Sequence, residues 1–163
     1  MRQFLNEGGA FGHLDHLYED DSLSIKQFKD IFDKLCNGQI IGTEKTDGVH
    51  IFLSYDILSR EVRAARNKSH LKEGGLNKQQ LQQYFSTRKV STAATAANTL
   101  NVFLEAVNNF ELFIKSIDNE SLPKIFGNNS NIFYNCEILD PRMHNVIIYD
   151  TKVIVVHRLG HIG

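Results

Sequence analysis

Apolar residues recur along this chain first at helical and then at strand spacing, and the change of period lays out its elements. Ile25, Phe28, Ile31, Phe32 and Leu35 fall at steps of three and four, which predicts a helix. Ser24 opens it, Gln27 three residues on completes a capping box, and Gly38 suits the stop. A strand is expected to end near Glu44, with a tight turn at Thr46-Asp47-Gly48 and a second strand from Val49 to about Tyr55. Asp56 to Arg60 turns the chain, and Glu61 to Arg66 brings it back as a third strand. Short strands joined by short turns favour antiparallel neighbours.

Asn67 to Gly75 reads as a polar loop with a Gly-Gly end. Asn77 can cap a short helix through Phe85, and Ser91 a longer one to about Ile117, with Ala97, Leu100, Leu104 and Val107 among its apolar positions. A further helical turn near Ser121 to Phe126 ends at Gly127. Ile132 to Leu139 then reads as a strand and Asp140-Pro141 as a turn. Val146 to Tyr149 and Lys152 to His157 follow as a closing strand pair. The sum is an α+β domain, an antiparallel sheet with helices packed around it. Residues 1–38 form an N-terminal arm and helix of that domain, and residues 39–163 its core.

Composition fits this reading. A chain of 163 residues, 42% hydrophobic and 23% charged, can bury a real core as one domain. No apolar run approaches the roughly 18 residues of a membrane span, so no membrane partner is expected. Met1 to Glu7 lacks the apolar core of a signal peptide. Cys36 and Cys136 make neither a disulfide framework nor a zinc spacing, and are expected to be reduced thiols of a cytoplasmic protein. His13 and His16 have a spacing that can hold a metal on a helix, but no further ligands accompany them, and surface histidines are the simpler reading.

The net charge of −1 hides a division. Residues 1–39 hold four basic and seven acidic side chains, whereas residues 60–89 hold eight basic against two acidic. The second block, Arg60, Arg63, Arg66, Lys68, Lys72, Lys78, Arg88 and Lys89, has the charge for a phosphate-facing patch or for a merely solvated face.

Candidate chemistry centres on Glu44-Lys45-Thr46-Asp47-Gly48, read together with Ala65-Arg66-Asn67-Lys68 and Asn135-Cys136-Glu137-Ile138-Leu139. In this order the three stretches resemble the covalent nucleotidyltransferases: ATP-dependent DNA ligases, RNA ligases and mRNA capping enzymes. Each alone has a plain structural reading, since Asp-Gly is a common hairpin pair and Glu137 could be a salt-bridged strand residue. The resemblance implies a ligase-type adenylation domain with Lys45 as the nucleophile that takes AMP from ATP. An ordinary lysine is nearly all protonated at neutral pH, so desolvation and neighbouring positive charge must lower its pKa. It further implies that Arg66 and Lys68 lie near Lys45, and that Glu44 recognises the adenine amino group. Asp47 and Gly48 would shape the turn, with Gly48 letting backbone approach the nucleotide. Arg66 would contact phosphate, and Glu137 would accept from the ribose hydroxyl and help organise Mg2+. Tyr149 or His157 would supply the ring that stacks on adenine. The implied partner is a nucleic acid with 5′-phosphate ends, RNA favoured over DNA.

His50 stands where DNA ligases and capping enzymes often carry Arg, which leans toward RNA ligases, and the resemblance is closest to the phage-type ones. Neither the Glu-Gly nor the Lys-x-Lys motif that the family carries after its last strand follows His157 here. The expectation is therefore a domain truncated at its C-terminus, not necessarily active alone. The alternative is a non-catalytic nucleotide- or nucleic-acid-binding module related to ligases.

Overall fold

The computed structural model describes residues 20–41, 46–87, 93–128, 132–143 and 147–161. Two compact units divide the chain, Met1–Lys45 and Thr46–Gly163.

In the first unit, helix α1 spans Ile25–Cys36. Ser24 Oγ accepts from the Gln27 N–H, and the Gln27 side chain reaches back to the Ser24 N–H, so the expected capping box is formed. The helix stops at Asn37, and Gly38 follows with φ +67°. Cys36 is exposed at the end of the helix. Gln39 to Ile41 carry no strand, and the rest of the strand expected to end near Glu44 lies outside the described residues, as do His13 and His16.

The second unit opens with strand β1 (Val49–Asp56), which turns through residues 57–60 into β2 (Glu61–Ala65). Asp56 Oδ1 accepts the N–H groups of Leu58 (3.0 Å) and Ser59 (3.4 Å), so the carboxylate builds the turn and the hairpin pairs in register, Asp56 opposite Glu61. Helices α2 (Lys68–Lys72), α3 (Lys78–Thr87), α4 (Ala93–Lys115) and α5 (Leu122–Phe126) come next, then strands β3 (Ile132–Leu139) and β4 (Val153–His161). All neighbours are antiparallel, in the order β2-β1-β3-β4. The α+β architecture is thus as the sequence predicts.

Period two decides which residues meet the helices. Ile51, Leu53, Val62, Ala64, Cys136 and Ile138 point to one face and join Leu81, Phe85, Phe103 and Phe110 of α3 and α4 in a single apolar core. Burial there pushes the Cys136 thiol up to about 12. The alternate residues His50, Phe52, Ser54, Asn135 and Glu137 face the other side. Phe52, Ser54 and Asn135 are buried there as well.

Two expectations are corrected. Asn67 to Gly75 is not all loop. The Asn67 side chain accepts from the His70 N–H at 2.9 Å and caps α2, whose His70 and Leu71 are buried, with His70 edge-on to Tyr84 at 4.6 Å. The closing strand pair is instead one strand. Residues 147–150 are not in a ladder, and β4 runs from Val153 past His157 to His161. Asn77 and Gln80 cap α3 reciprocally at 2.9 Å each way, as expected, whereas the expected cap of α4, Ser91, lies outside the described residues.

Candidate functional site

Glu137 is the hub of the cluster at the start of β1. The register puts it opposite His50, so its carboxylate reaches the Thr46-Asp47-Gly48 turn two residues before. Its Oε1 accepts the Gly48 N–H at 2.7 Å. Its Oε2 accepts the Thr46 hydroxyl and faces His157 Nε2 at 2.9 Å. Gly48 makes the approach possible: a Cβ there would lie 2.6 Å from the Ile138 carbonyl oxygen and from Leu139 Cδ2, and 2.7 Å from Glu137 Cγ. The space that glycine leaves at this position is therefore filled by β3.

His157 arrives through an irregularity. Along β3 and β4, Asn135 pairs with Arg158 and Cys136 with Val156, so His157 is the extra residue of a bulge. A bulge re-aims the side chain it carries. The carboxylate acceptor assigns a proton to His157 Nε2, and the same Nε2 lies 3.2 Å from Thr46 Oγ1. Thr46, His157 and Glu137 thus form a triangle sharing one nitrogen. A nucleophile relay needs the carboxylate on the opposite imidazole nitrogen, so this triangle does not activate the Thr46 hydroxyl.

The turn is held from a second side. Asp47 N–H donates to Tyr149 Oη at 2.9 Å, and Asp47 Oδ2 accepts the Ile147 N–H at 3.0 Å. Beside it, His50 Nε2 and Asn135 Oδ1 are 2.7 Å apart, with the His50 ring edge-on to Phe52 at 4.4 Å.

Arg66 is turned elsewhere. Its guanidinium packs on the Phe103 ring, 4.6 Å from Cζ to centroid, and its Nη1 donates to the His50 carbonyl. Phe103 belongs to the helix-side core, whereas Glu137 points to the other face of the sheet. The structure therefore brings together Asp47, Gly48, Glu137, Tyr149 and His157 of the expected site, and places the Arg66 guanidinium on the helix side, bracing β1. Lys68 is exposed in the first turn of α2. Lys45 and Glu44 lie outside the described residues.

The described part of the basic block is spread over the turn before β2, β2 itself, α2 and α3. Arg60 and Arg66 flank opposite ends of β2, roughly 15–20 Å apart at the usual strand rise. Arg63 is committed to Asp56 (3.1 Å) and Glu61 (3.6 Å). Arg88 and Lys89 lie outside the described residues.

A resident Mg2+ does not fit this cluster. A carboxylate has about four lone-pair sites, and three donors already point at those of Glu137, so hydrogens stand where a cation would be. Among the described residues no group of three His, Cys, Asp or Glu could hold a metal. No described helix is long and apolar enough to cross a membrane.

What the cluster can do is fix the main chain immediately after Lys45 through groups about a hundred positions away. Sequence reading missed Thr46 and the His50–Asn135 pair. Alternation from the core residue Ile51 could have placed His50 on the face of Glu137, but Thr46 precedes the strand and has no such signal. Compared with known protein families, curated proteins and solved structures, the chain matches none of them.

Proposed function

We propose that the chain is an ATP-dependent nucleotidyltransferase of the RNA-ligase kind, working through a lysyl-AMP intermediate on Lys45. One observation carries the reading: Glu137 takes both the Gly48 N–H and the Thr46 hydroxyl, the groups that flank Asp47 just after the lysine. A nucleophile on a turn needs that turn immobilised, because misplacement by about 1 Å can cost a hundredfold in rate. In the first step the neutral Lys45 amine attacks the α-phosphorus of ATP. The phosphorus–nitrogen bond forms, the bond to the bridging oxygen breaks, pyrophosphate leaves, and the amine loses a proton to solvent. AMP then passes to a 5′-phosphate end, RNA favoured over DNA.

Magnesium is expected to enter with the phosphates of ATP, since Glu137 is already engaged. Arg66 serves this reading by bracing the His50 carbonyl, two residues from the turn, in place of the phosphate contact expected of it. That diversion also favours a second reading, a nucleotide-binding module that transfers nothing.

Incubation with Mg2+ and ATP labelled at the α-phosphate tests both. The first reading expects an acid-labile adduct, lost in Lys45→Ala. An adduct that survives this substitution, or none on a version extended to include Glu-Gly and Lys-x-Lys motifs, sinks it. ATP binding without an adduct supports the second reading.

A further inference from the structure

The connection between β3 and β4 is tied to the 46–48 turn through one residue. Asp47 gives its N–H to Tyr149 Oη and takes the Ile147 N–H on its carboxylate, so Ile147 to Tyr149 form a strap fastened at both ends to Asp47. Ile147 and Ile148 are 42% and 86% exposed, so apolar burial does little to hold the strap down. Hydrogen bonds that water can replace are individually weak, so an open strap lies within reach of a ligand that binds it better.

The two acceptors at the turn differ in what holds them. Asp47 and Gly48 are consecutive, and their N–H groups aim at Tyr149 Oη and Glu137 Oε1. Glu137 belongs to the sheet and is also faced by His157. Tyr149 belongs to the strap, so it is the acceptor that can leave. The carboxylates of Asp47 and Glu137 both stand at this turn. A phosphate oxygen arriving at the Asp47 N–H would meet two like charges, whereas a neutral hydroxyl would not.

We propose that residues 147–149 form a lid clasped shut by Asp47, and that a sugar hydroxyl of the ligand displaces the Tyr149 hydroxyl from the Asp47 N–H as the lid opens. The clasp is independent of the nucleotide reading, and the identity of the ligand rests on it. Tyr149 is thus a competitor for the site it closes.

Amide hydrogen exchange on the full chain reads the clasp, and calorimetry with adenosine and with inorganic pyrophosphate reads the displacement. Tyr149→Phe should raise exchange at the Asp47 amide roughly three- to tenfold, the loss of about one net hydrogen bond. Asp47→Ala should do the same at Ile147, while Asp47→Asn, which keeps an oxygen acceptor, should not. Adenosine should bind Tyr149→Phe more tightly than wild type by a similar factor, with pyrophosphate unchanged. Unaltered exchange in both Tyr149→Phe and Asp47→Ala overturns the clasp. Weaker adenosine binding in Tyr149→Phe, or tighter pyrophosphate binding, overturns the displacement. If adenosine binds neither form, the displacement falls with the nucleotide reading, and exchange alone decides the clasp.

Discussion

At position 48 a methyl group would sit inside the contact distance of three β3 atoms, one of them the Ile138 carbonyl oxygen, which cannot retreat without shifting the β3 backbone. Gly48→Ala should therefore cost about 3 kcal/mol in urea unfolding, at the upper end of the usual penalty for overpacking. Gly74 offers the contrast. It has φ +78° and nothing within 4 Å of a built Cβ, so Gly74→Ala should cost only the backbone penalty of about 1–2 kcal/mol. Equal losses at the two positions would show that β3 yields easily at Gly48. Glu137→Gln poses a different question, because the amide keeps one acceptor oxygen but cannot satisfy the Gly48 N–H, the Thr46 hydroxyl and His157 together. Stability should change little, whereas the rate of lysyl-AMP formation should fall about tenfold to a hundredfold in a single-turnover assay.

Among the elements, the segment just after β3 is joined to α4 by charge. Arg142 donates to Glu105 through both terminal nitrogens (2.8 and 2.7 Å) and to Asp140 through Nε (2.8 Å) and Nη2 (2.6 Å), with Lys152 3.5 Å from Glu105. Asp140 is only 4% exposed, so removing its partner strands a largely buried carboxylate. The arginine is 30% exposed, which places the expected loss for Arg142→Met at about 2 kcal/mol, below the cost for a fully buried pair. Asp140→Asn on that background should restore part of it in urea melts. Full additivity of the two losses would argue against the coupling.

Element existence was legible in the sequence wherever one periodicity held. α1, β1, β2, α3 and β3 follow from spacing and caps. The 147–150 stretch was not legible, because its apolar run fits a strand. What removes it from the ladder is bonding at a distance: the Ile147 N–H goes to the Asp47 carboxylate and Tyr149 to the Asp47 backbone. The bulge that delivers His157 likewise depends on strand pairing, which a single strand's pattern does not encode. For the candidate site, the motif residues near Glu137 were found by resemblance. The diversion of Arg66 was not, since a partner such as Phe103 lies in another element.

At the scale of the whole molecule, acid should act through a few carboxylates. Asp56 is pushed up by burial, but hydrogen bonds from Ser59, Arg63 and Leu58 outweigh this and hold it down at about 2. The Arg142 guanidinium lowers Glu105 and Asp140 in the same direction. A carboxylate whose folded pKa is depressed contributes stability that is complete above its unfolded value, near 4, and is lost as pH falls through the folded one. The melting temperature should therefore be flat from neutral pH down to about 5 and fall steeply between about 4 and 2. Asp56→Asn should lower the neutral plateau and flatten that fall. An unchanged acid slope in this variant would rule Asp56 out as a contributor.

The two thiols have opposite settings, and that makes the native chain its own labelling reagent. Cys36 stands in the open at the end of α1, while Cys136 is sealed in the sheet with its thiolate suppressed. A maleimide dye at neutral pH should couple once per folded molecule, and twice after denaturation. A fluorophore so attached marks the end of α1, and its anisotropy can be read there without altering a single residue.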